Sequence, residues 1–221
     1  MDFVLAVPAV ANTPTFIQAV YCGNQRWTIY NNIFVINSEG MTAIDIRTDN
    51  DTYDVSIRVL NNTIVLQGSA SGVPDANRFQ LCDTLIWKNN ITCLLNSSVG
   101  MNFQWFQGAT GYDDVDSMDI DYNWYYKTLG ESRDDLFFAN DADESWDEWK
   151  AHPENNDANS DTGYVSFVGL LGDEISDYYP TSDVSGGTDI SVEYPFLAND
   201  LLKNARTAGN WMGALREGDA P

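Results

Sequence analysis

The sequence predicts a mainly β protein, an antiparallel β-sandwich or jelly-roll-like domain, with an acidic α-containing insertion and a C-terminal amphipathic helix. Three patterns lead to this prediction. Apolar and polar residues alternate between 53 and 59, Asn61 and Asn62 separate two apolar runs, and apolar residues recur at helical spacing between 195 and 216. Short strands separated by polar turns are typical of two packed antiparallel sheets.

Residues 1–15 are predicted to form an extended N-terminal arm. The stretch from Met1 to Ala11 mimics a short signal sequence, but it has Asp2 where a signal sequence has cations, and Pro8 interrupts it. A short arm of this kind exposes a contiguous apolar strip in water. We therefore expect it to be docked on another surface.

Residues 16–194 are predicted to form the β-sandwich domain. The alternation from Tyr53 to Val59 is typical of a half-buried antiparallel strand. Asn61 and Asn62 suit a two-residue hairpin turn that requires positive φ, so residues 41–69 are predicted to form a three-stranded antiparallel meander. Further strands are predicted at 16–22, 26–30, 33–37, 79–87, 91–95, 102–107, 164–170 and 189–194.

Residues 108–163 are predicted to be a long acidic insertion within this domain, with short helices. Gly, Asp, Asn and Tyr dominate its composition. One helix is predicted to start at a capping box, with Asp141 as the N-cap and Glu144 three residues later. Trp146 and Trp149 fall on one face of that helix, which we expect to lie over the sheet.

Residues 195–221 are predicted to form a C-terminal helix and tail. Pro195 suits the first turn of a helix, and an apolar stripe follows at helical spacing. The stripe consists of Leu197, Leu201, Ala205, Ala208, Met212 and Leu215. Such a stripe either packs on its own domain or is offered to a partner.

The charge of the chain excludes one class of partner. The chain has 33 acidic and 11 basic residues, a net charge of −22, and 23 of the acidic residues lie between 111 and 200. A surface this acidic does not bind nucleic acid through its phosphates, and it suits salty surroundings that screen its self-repulsion. No apolar run reaches the roughly 18 residues that a membrane-spanning helix needs.

The sequence carries no catalytic signature. His152 is the only histidine, which excludes most histidine-based triads and multi-histidine metal centres. The G-x-S-x-G, P-loop and dinucleotide-binding motifs do not occur in the sequence. Carboxylate pairs are frequent, but 33 acidic residues produce such pairs by chance. The chain is therefore predicted not to be an enzyme.

The best candidate for a ligand site is the row Asp157, Asn159 and Asp161, which Gly163 follows. Oxygen donors at alternate positions can surround Ca²⁺, which takes six to eight oxygen ligands. The match to an EF-hand loop is incomplete, because glycine comes one position late and Val168 stands where a bidentate glutamate belongs. Calcium is thus the only candidate cofactor, and a solvated acidic loop is the alternative.

Two groups of side chains leave alternatives open. Cys22, Cys82 and Cys93 lack the close pairing of a zinc site, so either Cys82 and Cys93 form a bridge or all three are buried free thiols. Aromatic residues cluster at 124–126. If buried, they belong to a core; if exposed beside carboxylates, they suit stacking on sugar rings.

Two functions are consistent with these features. The first is a non-enzymatic structural protein of a virion, such as a capsid, head-decoration or tail protein. Its partners would be other copies or other virion proteins, which it would contact through the N-terminal arm and the C-terminal helix. The alternative is an extracellular carbohydrate-binding β-sandwich module, assisted by calcium. The virion hypothesis rests on the organisation of the chain.

Overall fold

A computed structural model gives the fold of the chain. It describes residues 2–5, 9–10, 17–20, 25–37, 43–47, 54–67, 77–80, 82–95, 104–106, 117–127, 137–139, 142–151, 157–169, 175–181, 184, 186–207 and 211–215. Strands and irregular segments make up nearly all of this part, so the prediction of a mainly β protein is confirmed.

The strands are short, and a bend in the chain directly follows β4, β7, β10 and β13. In chain order they are β1 (Asp2–Leu5), β2 (Ala9–Val10), β3 (Ile17–Val20), β4 (Gln25–Tyr30), β5 (Ile33–Asn37), β6 (Ile44–Arg47), β7 (Val55–Leu60), β8 (Thr63–Gln67), β9 (Asn77–Gln80), β10 (Thr84–Lys88), β11 (Ile91–Leu95), β12 (Gln104–Phe106), β13 (Ser117–Asp121), β14 (Trp124–Lys127), β15 (Phe137–Ala139), β16 (Ala142–Glu144) and β17 (Asp161–Thr162). The described helices are α1 (Trp146–Lys150) and two 3₁₀ turns, Ile175–Tyr178 and Pro195–Leu197.

The strands form three sheets, and each strand from β1 to β12, as well as β14, pairs with the strand three places further along the chain. Sheet A has the order β1-β4-β7-β10-β13, sheet B the order β17-β14-β11-β8-β5-β2, and sheet C the order β16-β15-β12-β9-β6-β3. Every described pairing is parallel except that of β15 with β16. The chain therefore winds through sheets A, B and C in turn and forms a three-sided coil, a parallel β-helix.

One turn of the coil takes about thirty residues. In sheet B, Ile33 pairs with Thr63, Thr63 with Ile91, and Ile91 with Trp124, so successive turns take 30, 28 and 33 residues. Turns of unequal length still keep these strands in register, because the corner between sheets A and B takes two residues in four successive turns, at 31–32, 61–62, 89–90 and 122–123.

Apolar side chains from the three sheets fill the inside of the coil. Val55, Ile57 and Val59 of β7 point inward and are fully buried, and Ser56 and Arg58 between them are only half-buried. The same interior cluster contains Ile44, Ile46, Phe79, Leu85, Trp87, Leu94, Tyr125, Phe137 and Trp149. Full burial of one such aliphatic or aromatic side chain contributes about 1.5–3 kcal/mol.

The predicted antiparallel sandwich, or jelly-roll-like domain, is wrong. The strand positions were largely right, since 33–37 and 91–95 match β5 and β11. The strand partners were wrong, because the supposed meander of 41–69 consists of β6, β7 and β8, which lie in three different sheets. Alternation of apolar and polar residues marks a strand with one buried face, and it does not distinguish a neighbour in a hairpin from one a full turn away.

The predicted acidic insertion is also wrong. Strands β13, β14 and β15 fall within residues 108–163, and they add a further turn to sheets A, B and C. Its acidic residues do not interrupt the coil, because they can lie on outward-facing positions of a strand. In β13, for example, Asp119 is exposed and the neighbouring Ile120 is buried.

The predicted C-terminal amphipathic helix does not form. Only Pro195–Leu197 is helical among the described residues of that segment, and it is a 3₁₀ turn. Lys203 and Gly213 have φ of 71° and 70°, which an α-helix does not tolerate. The strands predicted at 164–170 and 189–194 are absent as well, and the segment instead follows an irregular path over the coil.

Helix α1 carries the predicted capping box at a different position. Ser145 is the N-cap, its Oγ accepts a hydrogen bond from the backbone N–H of Glu148, and the Glu148 side chain accepts one from the N–H of Ser145. Hydrogen bonds from Ser145 lower the pKa of Glu148. Asp141 lies outside the described residues. Trp146 and Trp149 share a buried face, as predicted, but they pack into the coil interior.

Candidate functional site

A row of buried amides runs along the corner between sheets A and B. The row consists of Asn32, Asn62, Asn90 and Asn123, one from each turn, and Asp157 ends it. The backbone N–H and Nδ2 of Asn32 both donate to Oδ1 of Asn62, at 3.0 Å each. Asn62 donates in the same way to Asn90, at 2.9 and 3.0 Å, and Asn90 to Asn123, at 3.0 and 3.3 Å. We call this row the amide ladder.

The ladder also satisfies backbone groups that the bends leave unpaired. Nδ2 of Asn62 donates to the carbonyl of Ile29 at 3.0 Å, and Nδ2 of Asn90 donates to that of Val59 at 2.9 Å. A buried carbonyl without a partner costs free energy. The ladder therefore lets the chain bend sharply at a buried corner in the four turns that contain Asn32, Asn62, Asn90 and Asn123.

The residue before each ladder asparagine has a left-handed backbone. Asn31, Asn61, Asn89 and Tyr122 have φ of 52°, 55°, 57° and 58°. Asparagine tolerates this conformation better than most residues. The predicted positive φ at Asn61 is confirmed, although the turn bends the chain into the next sheet instead of closing a hairpin.

Asp157 is a carboxylate held entirely inside the protein. Its Oδ1 accepts hydrogen bonds from Asn123 Nδ2 at 3.0 Å and Ser160 Oγ at 2.5 Å. Its Oδ2 accepts them from Trp149 Nε1 at 2.7 Å and Tyr125 Oη at 3.1 Å. Burial raises the pKa of Asp157, although these four donors act in the opposite direction. Burial and the charge of Asp157 raise the pKa of Tyr125.

The C-terminal end of the coil is sealed by aromatic rings. Trp149 of α1 stacks on Phe137, with ring centroids 4.5 Å apart and planes 5° apart. Trp146 lies 5.8 Å from Tyr125 in an edge arrangement. Because Asp157 holds Trp149, the seal and the amide ladder are joined through one carboxylate.

The described residues between 163 and 215, here called the strap, cover parts of two outer faces of the coil. Apolar strap residues pack on the outer face of sheet B, where they bury Ile33, Val65 and Ile91. The strap residues of this contact are Val165, Phe167, Tyr178, Tyr179, Val184, Met212, Ala214 and Leu215. The strap therefore replaces water on a face that a free-standing coil would expose.

The outward asparagines of the bends fix the strap in place. Asn31 Nδ2 donates to the carbonyl of Asn199 at 2.9 Å, Asn61 Nδ2 donates to that of Trp211, and Asn89 Nδ2 donates to that of Thr188 at 2.8 Å. Arg206 donates to Asn31 Oδ1 at 2.9 Å and to the carbonyl of Gly213 at 2.7 Å. Burial lowers the pKa of Arg206 to about 10, so the guanidinium remains charged at neutral pH.

Gly213→Ala is expected to lower the free energy of unfolding by about 1–3 kcal/mol. Gly213 has φ of 70°, and a Cβ there would lie 2.7 Å from Cδ1 of Ile91 and 2.9 Å from Oγ1 of Thr63. Both neighbours belong to the buried outer face of sheet B. Urea unfolding of the two proteins measures the difference, and equal midpoints would show that the strap does not approach the coil this closely.

The opposite end of the coil differs from the sealed one. Strands β1, β2 and β3 are the terminal strands of sheets A, B and C. They pair with β4, β5 and β6 on one side, and no described strand lies on their other side. Part of the segment predicted as an N-terminal arm thus forms two of these edge strands. Unpaired strand edges are templates for pairing with further strands.

The structure separates the residues predicted to bind calcium. Asp157 is buried and accepts the four hydrogen bonds described above, whereas Asn159 and Asp161 are exposed. Asn159 Nδ2 donates to Asp121 at 2.7 Å, and Asp161 Oδ1 accepts from the N–H of Thr162 at 2.7 Å. Calcium binding by these residues stays a prediction. Among the described residues, no group of three or more His, Cys, Asp or Glu side chains could hold a metal.

The other singled-out residues are placed as follows. Cys82 and Cys93 are buried free thiols, and burial raises the pKa of Cys93. Trp124 and Tyr125 are buried, which supports the core interpretation of the cluster at 124–126. Cys22 and His152 lie outside the described residues. No helix within the described ranges is long and apolar enough to cross a membrane.

The amide ladder was not among the features predicted from the sequence. Its signal is the recurrence of an asparagine pair after an apolar strand, at 31–32, 61–62 and 89–90. Comparison with family models, curated proteins and solved structures finds no match to this chain.

Proposed function

We propose that the protein is a non-enzymatic structural component of a virion, such as a tail or head-decoration protein. The observation that supports this proposal is the difference between the two ends of the coil. One end is closed by Trp146 and Trp149, and at the other end no described strand pairs with the outer edges of β1, β2 and β3. Repeat coils need covered ends to stay soluble, so a partner that continues the three sheets is the expected cover.

The partner would be another copy of the chain or another virion protein. Three parallel edges on one end accept only a polypeptide that supplies strands at three matching positions. Backbone pairing of this kind gives affinity, and the three-sided geometry gives orientation. The resulting joint would extend the coil, as expected for a rod-like or projecting part of a particle.

The C-terminal segment no longer supports this proposal. It was expected to offer an apolar helix to a partner, but Leu197, Met212 and Leu215 are buried against their own chain. The capsid version based on a jelly roll is excluded with the sandwich. The proposal therefore depends on the edge strands, together with an acidic body that repels nucleic acid.

Crosslinking mass spectrometry on intact particles from the source of the sequence tests the proposal. We expect the chain in purified particles at fixed copy number, with crosslinks from residues 2–20 to another copy or another particle protein. Hydrogen exchange at β1–β3 should be slow in the particle and faster in the isolated chain.

Two results would contradict the virion proposal. The chain could be absent from purified particles, or residues 2–20 could crosslink only within the same polypeptide. The first result would remove the particle as the place of assembly, and the second would show that the protein's own residues cover the edges of β1, β2 and β3.

A further inference from the structure

The first turn of the coil, formed by β1, β2 and β3, is almost free of charge. Asp2 and Arg26 are the only charged residues among residues 1–37, whereas residues 111–200 contain 23 acidic and 3 basic residues. Strands β1, β2 and β3 themselves contain one charged residue, Asp2, and no proline. Soluble proteins commonly protect exposed strand edges with charged residues or proline. The composition of these strands is therefore typical of strands that are paired on both sides.

The apolar interior of the coil reaches its first turn. Phe3 and Leu5 of β1 pair in register with Trp27 and Ile29 of β4. Ile29 belongs to the interior cluster, and Trp27 packs against it. The interior positions of sheet A are thus apolar in sequence up to its terminal strand. A cover that continues this interior would remove apolar surface from water, which stabilises the contact.

The sealed end of a second copy does not provide this cover. There, Trp146 and Trp149 close the interior, and the backbone N–H of Asp157 donates to the carbonyl of Ile120 in β13 at 2.6 Å. Contact between two sealed ends would bring together residues 111–200, whose net charge of −20 opposes it. A contact between copies that covers the ends of their coils must therefore join first turn to first turn.

Two first turns fit together when a two-fold axis perpendicular to the coil relates them. The edges of β1, β2 and β3 lie on a rising path, because these strands follow one another along the coil. A helical path coincides with itself after such a half-turn when the axis passes through the middle of the path, which is β2. Strand β2 of one copy then lies beside β2 of the other, and β1 lies beside β3. The half-turn reverses the strand direction, so these pairings are antiparallel.

We infer that two copies of this chain form a symmetric dimer through the edges of β1, β2 and β3. This inference rests on the assembly role proposed above for these edges, and it names a second copy as the partner. Both copies contribute the same surface, so the contact closes on itself and does not extend into a filament. The acidic sealed ends lie at the two far ends of the dimer, where their repulsion is smallest.

Light scattering of the full chain during size-exclusion chromatography tests the inference. We expect twice the mass of the chain, with dissociation to the monomer on dilution. Hydrogen exchange of the wild type adds a measurement that needs no variant. Residues 2–20 should exchange about tenfold faster after dilution to the monomer, whereas exchange in β10 and β11, which lie in middle turns, should not change.

Charged substitutions at Val10 test the position of the two-fold axis. Val10 of β2 pairs with Val35, which belongs to the cluster on the outer face of sheet B, so the substitution is made away from the interior. Val10→Lys and Val10→Glu each place two like charges beside the axis, and each should weaken the dimer about tenfold or more. A mixture of the two variants should restore the dimer, because opposite charges then face each other.

Ser117→Lys is the matched control. Ser117 is exposed in β13, the terminal strand of sheet A at the sealed end, so this added charge should leave the dimer intact. Circular dichroism checks that every variant is folded.

Four results would overturn the dimer. The wild type could be monomeric at millimolar concentration, dilution could leave the exchange of residues 2–20 unchanged, Ser117→Lys could weaken the dimer as much as Val10→Lys, or the mixture of Val10 variants could stay monomeric. A dimer formed by a chain that is absent from particles would contradict the virion role alone. A monomer whose residues 2–20 crosslink to a different particle protein would contradict the dimer alone.

Discussion

Asp157→Ala is expected to lower the free energy of unfolding by about 3 kcal/mol or more. Four side chains donate hydrogen bonds to this carboxylate, and all of them are buried. Serine and tyrosine hydroxyls can rotate toward another acceptor, but Trp149 Nε1 and Asn123 Nδ2 are fixed donors. Each unsatisfied buried donor costs about 1–3 kcal/mol. Urea unfolding followed by tryptophan fluorescence measures the loss.

Asp161→Ala is the control for this prediction. Asp161 is exposed, and its Oδ1 accepts a hydrogen bond from its neighbour's backbone, so its loss should cost less than about 1 kcal/mol. Equal effects of the two variants would show that Asp157 does not connect the ladder to the seal.

The pH dependence of Asp157 follows from the direction of its pKa. Burial raises this pKa above its ordinary value of 3.8. Its contribution is therefore fully present below the pKa of the unfolded chain, and part of it is lost as pH rises through the higher pKa of the folded protein. The stability difference between wild type and Asp157→Ala should narrow as pH is raised from acid to neutral.

Asn62→Ala is expected to cost about 3 kcal/mol, since Asn62 is a central member of the amide ladder. Its Oδ1 accepts from the N–H and the Nδ2 of Asn32, and its Nδ2 donates to the carbonyls of Ile29 and Leu60. Alanine leaves these buried groups without partners. Thermal unfolding and urea unfolding should both show the loss.

Asn159→Ala provides the comparison. This asparagine is exposed, and its side chain bonds only to Asp121 in the described residues, so its removal should change stability by less than about 1 kcal/mol. If Asn62→Ala unfolds at the same urea concentration as Asn159→Ala, the ladder contributes no more than a surface hydrogen bond.

Local features of the fold could be predicted, and long-range ones could not. The alternation at β7 and the apolar runs at β5 and β11 predict strands, because a few consecutive residues are enough to show whether one or both faces of a strand are buried. The partner of a strand lies about thirty residues away in the sequence, so a local pattern does not identify it. The repeated asparagine pair carried that information, but Asn61 and Asn62 also suit a hairpin, and the local pattern favoured the shorter connection.

The candidate sites show the same division. The row from Asp157 to Asp161 has the spacing of a calcium loop, and the spacing says nothing about which oxygens face inward. Asp157 is buried because the ladder and Trp149 meet there. The contact of Arg58 with the Tyr194 ring could not be foreseen either, because the two residues are far apart in sequence and are brought together only by the path of the strap.

The asparagines that bind the strap attach it to the coil at fixed turns, so the length of the strap matches the length of the coil. From Thr188 at the level of Asn89 the strap runs to Asn199 at the level of Asn31, and it then returns past Trp211 at the level of Asn61. The strap backbone is thus attached to three successive turns of the coil. Gain or loss of a whole turn by duplication or deletion would keep every sheet in register. It would, however, move the asparagines of the bends away from the strap carbonyls that they bind. The number of turns can therefore change only when the strap changes with it.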